Sequence, residues 1–470
     1  MASRSVALAP ELREFLKDNQ MAQVDAALAE WALGVARRHG ATAAEVLCVS
    51  AESLAAGVRL GEVEKLKSSR ERRLGIRVFV GQSSANASTA ELERDGLEDF
   101  VAHTVGLARL TAADPSAGLP DAALHPSSLP NLDLADNDRG IVDADTALAI
   151  ARKAEHAAIS ADPRIKNSEG AEFDSGRYYI MFANSQGFAG EYEGTSFSLG
   201  VAPIAQSDDG AMQNGHWYTA NRHFGKLDDA EEVGLIAAKR ALRRLGSCKI
   251  KTTRVPIVFD PDMAAGLLRS LAGAASGPSL YKGASFLLGK LGEQIASPIV
   301  TIYDDGTMVG AMGSKPFDGE GLATNRKSLV ERGVLKTYLL DSYSARKLKM
   351  QPTGNASRSV GDSPSVSSTN LYLEPGSHSP QEIIATVKQG LYVTELIGFG
   401  VNGVTGDYSR GAGGLWIENG ELTYPVQEVT IAGNLKEMFK SIEMIGNDLR
   451  WRSTVVSPTL KIAEMMIAGA

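Results

Sequence analysis

Trp416-Ile417-Glu418-Asn419-Gly420-Glu421-Leu422-Thr423 is the stretch that decides the fold class. Two runs rich in β-formers flank an Asn-Gly pair, and those two residues accept the positive φ angles of a two-residue type I′ turn. A tight antiparallel hairpin is therefore predicted, and similar punctuation recurs along the chain. Gly333 joins runs at 328–331 and 334–340, and a β-rich run at 299–303 precedes them. Asn184-Ser185-Gln186-Gly187 turns the chain between 177–184 and 187–200, with further strands at 165–175 and 201–207. Nearer the N-terminus, short strands at 45–53, 57–60, 62–68, 74–80 and 84–88 are separated by Gly61, Arg72-Arg73 and Gly81-Gln82. Connections this short favour an antiparallel meander.

Helical patterns lie between the strand groups. Val24, Ala27, Leu28, Trp31 and Val35 recur at three- and four-residue steps across 21–39, and Gly40 stops the run. A second helix spans about 90–112. Asp143 caps a third that runs to Ser160, and Asp228 caps a fourth that ends at Gly246. The β-rich run 254–259 closes at Asp260-Pro261, and a helix follows to about Ala275. Residues 279–290 mix Gly, Ser and aliphatic side chains and carry no assignment. Ser379-Pro380-Gln381-Glu382 is a capping box with proline at the first helical position, and Gly390 is expected to end that helix. The class is α+β, with antiparallel sheets and flanking helices.

The chain has 470 residues, which calls for two or three domains of about 100–200 residues each. The sections expected are an extension at 1–20, α+β sections at 21–115 and 116–249, and a strand-rich section at 250–470. Residues 113–142, rich in Pro, Asp, Ala and Asn, read as a linker or a long ordered loop. The formal net charge is −8, and Glu71 interrupts the densest basic stretch, at 70–73. A duplex-binding surface needs clustered positive charge, so no nucleic-acid partner is expected. Two cysteines, Cys48 and Cys248, argue against a disulfide framework or a thiolate zinc site. No apolar run approaches the ~20 residues needed to span a bilayer. Residues 1–20 carry Glu11, Glu14 and Asp18 without the apolar core of a signal peptide, so a cytoplasmic protein without membrane contact is expected.

An ordered series of motifs occupies the C-terminal half: Phe317-Asp318-Gly319-Glu320-Gly321-Leu322-Ala323-Thr324, the run Tyr338 to Leu348, and Thr353-Gly354-Asn355. Thr369 to Gly376, Gly398 to Gly403, Thr405-Gly406-Asp407-Tyr408-Ser409-Arg410-Gly411-Ala412 and Glu428 to Leu435 follow. In this order they resemble the TldD/PmbA peptidase family, in its PmbA/TldE-like branch, also labelled modulator of DNA gyrase. Gly61 to Leu66 and Leu74-Gly75-Ile76-Arg77-Val78 extend the resemblance to the N-terminal part. Any single segment is a weak signal; the ordered series is specific.

Catalytic members of the family resemble zinc peptidases with His-Glu-x-x-x-His on a helix. Two histidines about a turn apart bind one zinc, and the glutamate activates the metal-bound water. None of the seven histidines of this chain, His39, His103, His125, His156, His216, His223 and His378, precedes a glutamate in that pattern. The corresponding helix, at 263–276, offers Arg269, Ser270 and Gly273 in place of the first His, the Glu and the second His. Arginine has no lone pair to give a metal. No metal and no cofactor is therefore expected in this chain. His216 and His223 flank Trp217-Tyr218, and their odd separation of seven puts them on opposite faces of a strand.

Other residues are candidates for holding peptide or a partner. Asp318, Glu320 and Thr324 are placed to orient a backbone or a partner loop, although Asp-Gly and Glu-Gly are also ordinary turn chemistry. Tyr343 and Arg346 sit on a short polar helix, where Arg346 can fork onto a carboxylate or form a structural ion pair. Asn402, Asp407, Tyr408, Arg410 and Asn434 fall in or beside a glycine-bracketed loop, which the resemblance places near the family's peptide site. No Gly-x-Ser-x-Gly elbow supports a serine hydrolase. The resemblance implies a non-catalytic subunit of a cytoplasmic metallopeptidase that processes or degrades unfolded peptides. Its partner would be a zinc-bearing TldD-type subunit or a second copy in a homodimer. The alternative is a peptide-binding or regulatory protein acting without a protease partner.

Overall fold

The computed structural model describes residues 26–469, so the extension at 1–20 and residues 21–25 of the first expected helix lie outside the described residues. Helix α1 (Ala26–Arg38) leads into β1 (Ala43–Arg59), β2 (Glu62–Val80) and β3 (Ser83–Thr89). The five short strands expected here are two long ones and one short one. Residues 62–71 of β2 are exposed, so no apolar alternation marks them. They stay extended because β1 pairs with β2 residue by residue from Ala43↔Phe79 to Arg59↔Glu62. Leu60 and Gly61 form the turn at φ 51° and 82°. Buried Glu155 accepts both of their N–H groups at 2.9 Å, which satisfies the donors the turn exposes.

Helix α2 (Arg94–Leu110) covers one face, as expected, and α3 (Ala144–Ser160) starts at Asp143, whose carboxylate accepts from Thr146 N at 2.9 Å. Strands β4 (Ile165–Asn184) and β5 (Ala189–Gln206) run unbroken through the expected gaps, and β6 (Met212–Asn214) and β7 (Trp217–Asn221) follow. One seven-stranded antiparallel sheet results, in the order β3-β2-β1-β4-β5-β6, with β7 also on β5. Helix α4 (Ala230–Leu242) is capped by Asp229 rather than Asp228 and stops short of Gly246. Helices α1 and α2 cover one half of the sheet, and α3 and α4 cover the other.

The C-terminal section begins with β8 (Thr253–Phe259), α5 (Pro261–Ala274) and a short α6 (Gly277–Tyr281), which occupies part of the stretch left unassigned. Then come β9 (Ile302–Asp305), β10 (Arg326–Glu331), β11 (Val334–Leu335), α7 (Ser342–Leu348), β12 (Ala356–Ser357), β13 (Ser365–Val366) and β14 (Leu371–Leu373). The chain ends through α8 (Pro380–Ala385), β15 (Gln389–Ile397), β16 (Asp407–Glu418), β17 (Glu421–Asn434), α9 (Leu435–Lys440), β18 (Ile442–Ile445), β19 (Val455–Val456) and β20 (Leu460–Ala468). The hairpin β16–β17 turns at Asn419 (φ 51°) and Gly420 (φ 83°) as the sequence predicts. Ser379 forms its capping box, but α8 ends at Ala385 and Gly390 lies in β15. A Cβ on Gly390 would sit 2.6 Å from the Pro256 carbonyl, so this glycine serves strand packing rather than a helix end.

The larger C-terminal sheet runs β17-β16-β15-β8-β20-β18, and β17 also pairs with β20, which closes five of its strands into a ring without open edges. The β15–β8 pair and the β14–β19 pair of the smaller sheet β11-β10-β9-β14-β19 are parallel; the other pairs of these sheets are antiparallel. Helix α5 buries Ala264, Leu267, Leu268 and Leu271 in the core between these sheets.

Close helix contact holds the middle of the chain together. A Cβ on Gly234 of α4 would lie 2.3 Å from the Ala154 carbonyl of α3. Gly234→Val should therefore cost about 2–3 kcal/mol in urea unfolding, while Gly225→Ala, at an open position, should stay within about 0.5 kcal/mol.

Candidate functional site

A cleft of about 480 Å³ opens where the seven-stranded sheet meets the C-terminal section. Its wall is assembled from His216 and Tyr218 at β7, one face of α4, the first turns of α5, the end of β15 and residues 450–457. Arg240 in the last turn of α4, and Arg243 and Arg244 in the turn that continues it, reach the cleft together because positions three and four apart stay on one side of the winding chain. Arg269, Arg450 and Arg452 bring the arginines of the lining to six, against the carboxylates Glu169, Asp262 and Glu395.

Three of these guanidiniums have anionic partners. Arg452 donates from Nη2 to both carboxylate oxygens of Asp262, at 2.9 and 3.0 Å, and from Nη1 to Tyr218 O at 3.0 Å. Arg244 bonds Glu395 at 2.6 Å, and Arg240 lies 3.5 Å from Asp260. Trp217 is the common surface beneath them: the guanidinium carbons of Arg452, Arg240 and Arg450 stand 3.7, 4.8 and 5.3 Å from its ring centroid. The guanidiniums of Arg243, Arg269 and Arg450 make no hydrogen bond or ion pair among the described residues, and Arg243 Nε is buried without an acceptor. Burial, with Arg240 close by, holds the Arg243 pKa below its ordinary range. Burial also lowers the His216 pKa, with help from Arg240 and Arg452, so its imidazole is neutral at pH 7. His223 instead turns to Asp133, with Nε2 3.2 Å from the carboxylate, so it does not join His216.

The residues of α5 do not fit a zinc ion. Arg269 is an exposed cation, Ser270 donates its hydroxyl to Gly266 O at 3.0 Å, and Gly273 has no side chain. Among the described residues, no group of three or more His, Cys, Asp or Glu is placed to hold a metal.

The sequence-derived candidates fall into three separate places. Asp318 is buried and accepts from Glu320 N, Leu322 N and Ala356 N at 2.9–3.0 Å, which fixes the loop it belongs to. Glu320 is also buried, accepting from Ser342 N at 2.8 Å and lying 3.7 Å from Arg77. Thr324 donates to Lys315 O at 2.5 Å. These groups anchor an internal junction. Tyr343 donates to Asp114 at 2.7 Å, and Arg346 holds the carbonyls of Ser116, Gly118 and Leu119 rather than a carboxylate. The two residues therefore strap residues 113–120 to α7, making that segment an ordered loop. Asn402, Asp407 and Asn434 form an exposed knot: Asn434 donates to Asp407 at 3.0 Å, and Asn402 accepts from Val404 N and Thr405 N. Tyr408 is buried, and burial pushes its hydroxyl up to about 12. Arg410 donates to Leu396 O, at 3.4 Å, and so reaches the cleft wall. The arginines of α4 and of 450–452 were not singled out by sequence, although the 240/243/244 spacing is a legible basic face.

Three domain descriptions of one family match the chain: PmbA/TldA metallopeptidase domain 1 over residues 44–108, the central domain over 138–245 and the C-terminal domain over 252–469. The chain belongs to the PmbA/TldD metallopeptidase family. It is 38% identical over 426 residues to Metalloprotease PmbA of Escherichia coli O157:H7, covering 91% of this chain and 92% of that relative. The crystal structure of a Bacteroides thetaiotaomicron protein named as a modulator of DNA gyrase superimposes with a TM-score of 0.88 at 31% identity, over 94% of this chain and 98% of that one. TldE from Thermococcus kodakarensis shares the fold, with a TM-score of 0.86 at 22% identity over 94% and 100% of the two chains.

Glu320 gives this junction a pH signature. Burial, then the neighbouring Asp318 charge, pushes its carboxyl from an ordinary 4.5 up to about 7, and Arg77 opposes them. Between those values the unfolded chain holds fewer protons at this site than the folded one, so its contribution to stability falls as pH rises. Glu320→Gln should remove about 1–3 kcal/mol of that loss between pH 5 and pH 8, read as the difference in urea-unfolding free energy between variant and parent at each pH.

Proposed function

We propose that this chain is the PmbA/TldE-type, non-catalytic subunit of a zinc metallopeptidase that processes or degrades unfolded peptides in the cytoplasm, working beside a zinc-bearing TldD-type subunit. The observation that carries the reading is helix α5. It borders the open cleft, yet presents Arg269, Ser270 and Gly273 where the peptidase motif needs two imidazoles and a carboxylate. A hydrolytic zinc needs about three protein ligands and one position for water; these three positions supply none, and the one carboxylate of the helix, Asp262, is held by Arg452. The chain's part would then be to hold peptide and complete the enclosure, while the partner polarises the scissile carbonyl.

The connection between β15 and β16 supports pairing with another subunit. Phe399 is fully exposed there, with Ile397 and Val404 more than half exposed beside the Asn402–Asp407 knot. Apolar side chains grouped on one loop in this way suit a protein interface. A homodimer would use the same loop in the absence of the partner. Among the described residues, no helix is long and apolar enough to cross a membrane.

Elemental analysis of the isolated chain should find no stoichiometric zinc, and the chain alone should not cleave an unfolded peptide. Adding a family member with His-Glu-x-x-x-His should produce chelator-sensitive cleavage that exceeds that of the partner alone. One tightly held zinc per chain, with chelator-sensitive cleavage by the isolated protein, would refute the reading. Phe399→Glu should lower the stimulation by about tenfold while leaving the thermal midpoint unchanged, because it places a charge in the interface rather than in a core.

A further inference from the structure

We infer that the arginine-lined cleft is a recognition site for acidic peptide segments, which it holds through their carboxylates. The inference rests on the peptide reading above and adds to it a substrate preference set by this chain.

Six arginines line the cleft; among the described residues Arg269 and Arg450 make no ion pair, and Arg243 has only the more distant charge of Asp260. Arg269 and Arg450 are exposed at the cleft and bond no acceptor among the described residues, so a carboxylate from outside pairs with them without displacing a protein partner. The planar guanidinium fork matches a carboxylate with two parallel hydrogen bonds. Stacking on Trp217 and the ion pair with Asp262 hold the rest of the cluster in place, so much of the ordering cost is met before a ligand arrives.

Shape and lining favour peptide over other anions. Met263, Leu396 and Val455 share the lining with the arginines and offer apolar contact beside them. The volume of about 480 Å³ takes a few residues of a single extended chain and excludes a duplex. The formal net charge of −8 works against a long polyanion approaching the remaining surface.

Fluorescence anisotropy of the full chain with a labelled unfolded peptide tests the inference, using a peptide with Glu at alternate positions and its counterpart with Gln. The Glu peptide should bind about tenfold more tightly at low salt. The double variant R269E/R450E should abolish that preference. Both side chains are exposed, so the fold should tolerate the change, and R269Q/R450Q should reduce the preference without reversing charge. R37E/K388E, an equal charge change at two exposed residues outside the cleft, should leave the preference intact. Equal affinity of the two peptides, survival of the preference in R269E/R450E, or displacement by duplex DNA at lower concentration than by the Glu peptide would overturn the inference. Binding of the Gln peptide without preference for Glu defeats the carboxylate site alone, whereas failure of both peptides to bind defeats the peptide reading with it.

Discussion

Glu45, Arg77, Arg358 and Glu320 meet in a buried cluster where the seven-stranded sheet abuts the C-terminal section. Glu45 is fully buried on β1; Arg77, opposite it on β2, lies 2.7 Å away, and Arg358 reaches it from just beyond β12. Burial alone would raise the Glu45 pKa, but the two arginines reverse the effect and hold it below the ordinary carboxylate range. Removing Glu45 would leave two buried guanidiniums facing each other without it, which is far more costly than the ion pairs themselves are stabilising. Next to it, Asp318 and Lys315 extend the network, and Asp318 fixes two backbone amides of its own loop and the Ala356 amide of β12. The relative placement of the two halves of the molecule depends on this junction, and the cleft at their other contact inherits its shape from that placement.

The cleft follows a different electrostatic rule. At the junction, acids and bases neutralise one another out of water; in the cleft, arginines outnumber carboxylates and two, Arg269 and Arg450, are exposed. Trp217 makes such a concentration tolerable, because its ring face attracts guanidiniums that would otherwise repel one another. Membership of the PmbA/TldD family places a peptidase fold around this surface. Helix α5 then has a double character: its inner side is core, and its outer end carries Arg269 into the cleft.

Local rules made much of the fold legible. Asp143, Asp260-Pro261 and the Ser379 box cap helices where capping chemistry places them, and Asn419-Gly420 turns its hairpin. What escaped was set by distant partners. The exposed half of β2 has no burial pattern to read, and its strand exists because β1 supplies a ladder. Gly390 resembles a helix stop until Pro256 is seen lying against it. The candidate site was legible in its parts and not in its assembly. Asp318, Glu320 and Arg346 carry the chemistry expected of them, polar and precise in direction, but they spend it on the protein's own backbone. The cleft arginines come from α4, α5 and residues 450–452, and no local spacing announces that those segments converge.

The contact between Glu45 and Arg358 joins residues 313 positions apart, which sets a timetable for biosynthesis. At about 5–20 residues per second, a ribosome delivers Arg358 roughly 15–60 s after Glu45. Arg77 arrives within a few seconds, so β1 and β2 can zip together early with one of the two countercharges in place. For the rest of that interval the nascent sheet carries an acid prepared for a partner that has not yet been made. The straps from α7 to residues 114–119 are delayed similarly, being more than 220 positions apart. The N-terminal half therefore waits, incompletely locked, until most of the chain has left the ribosome.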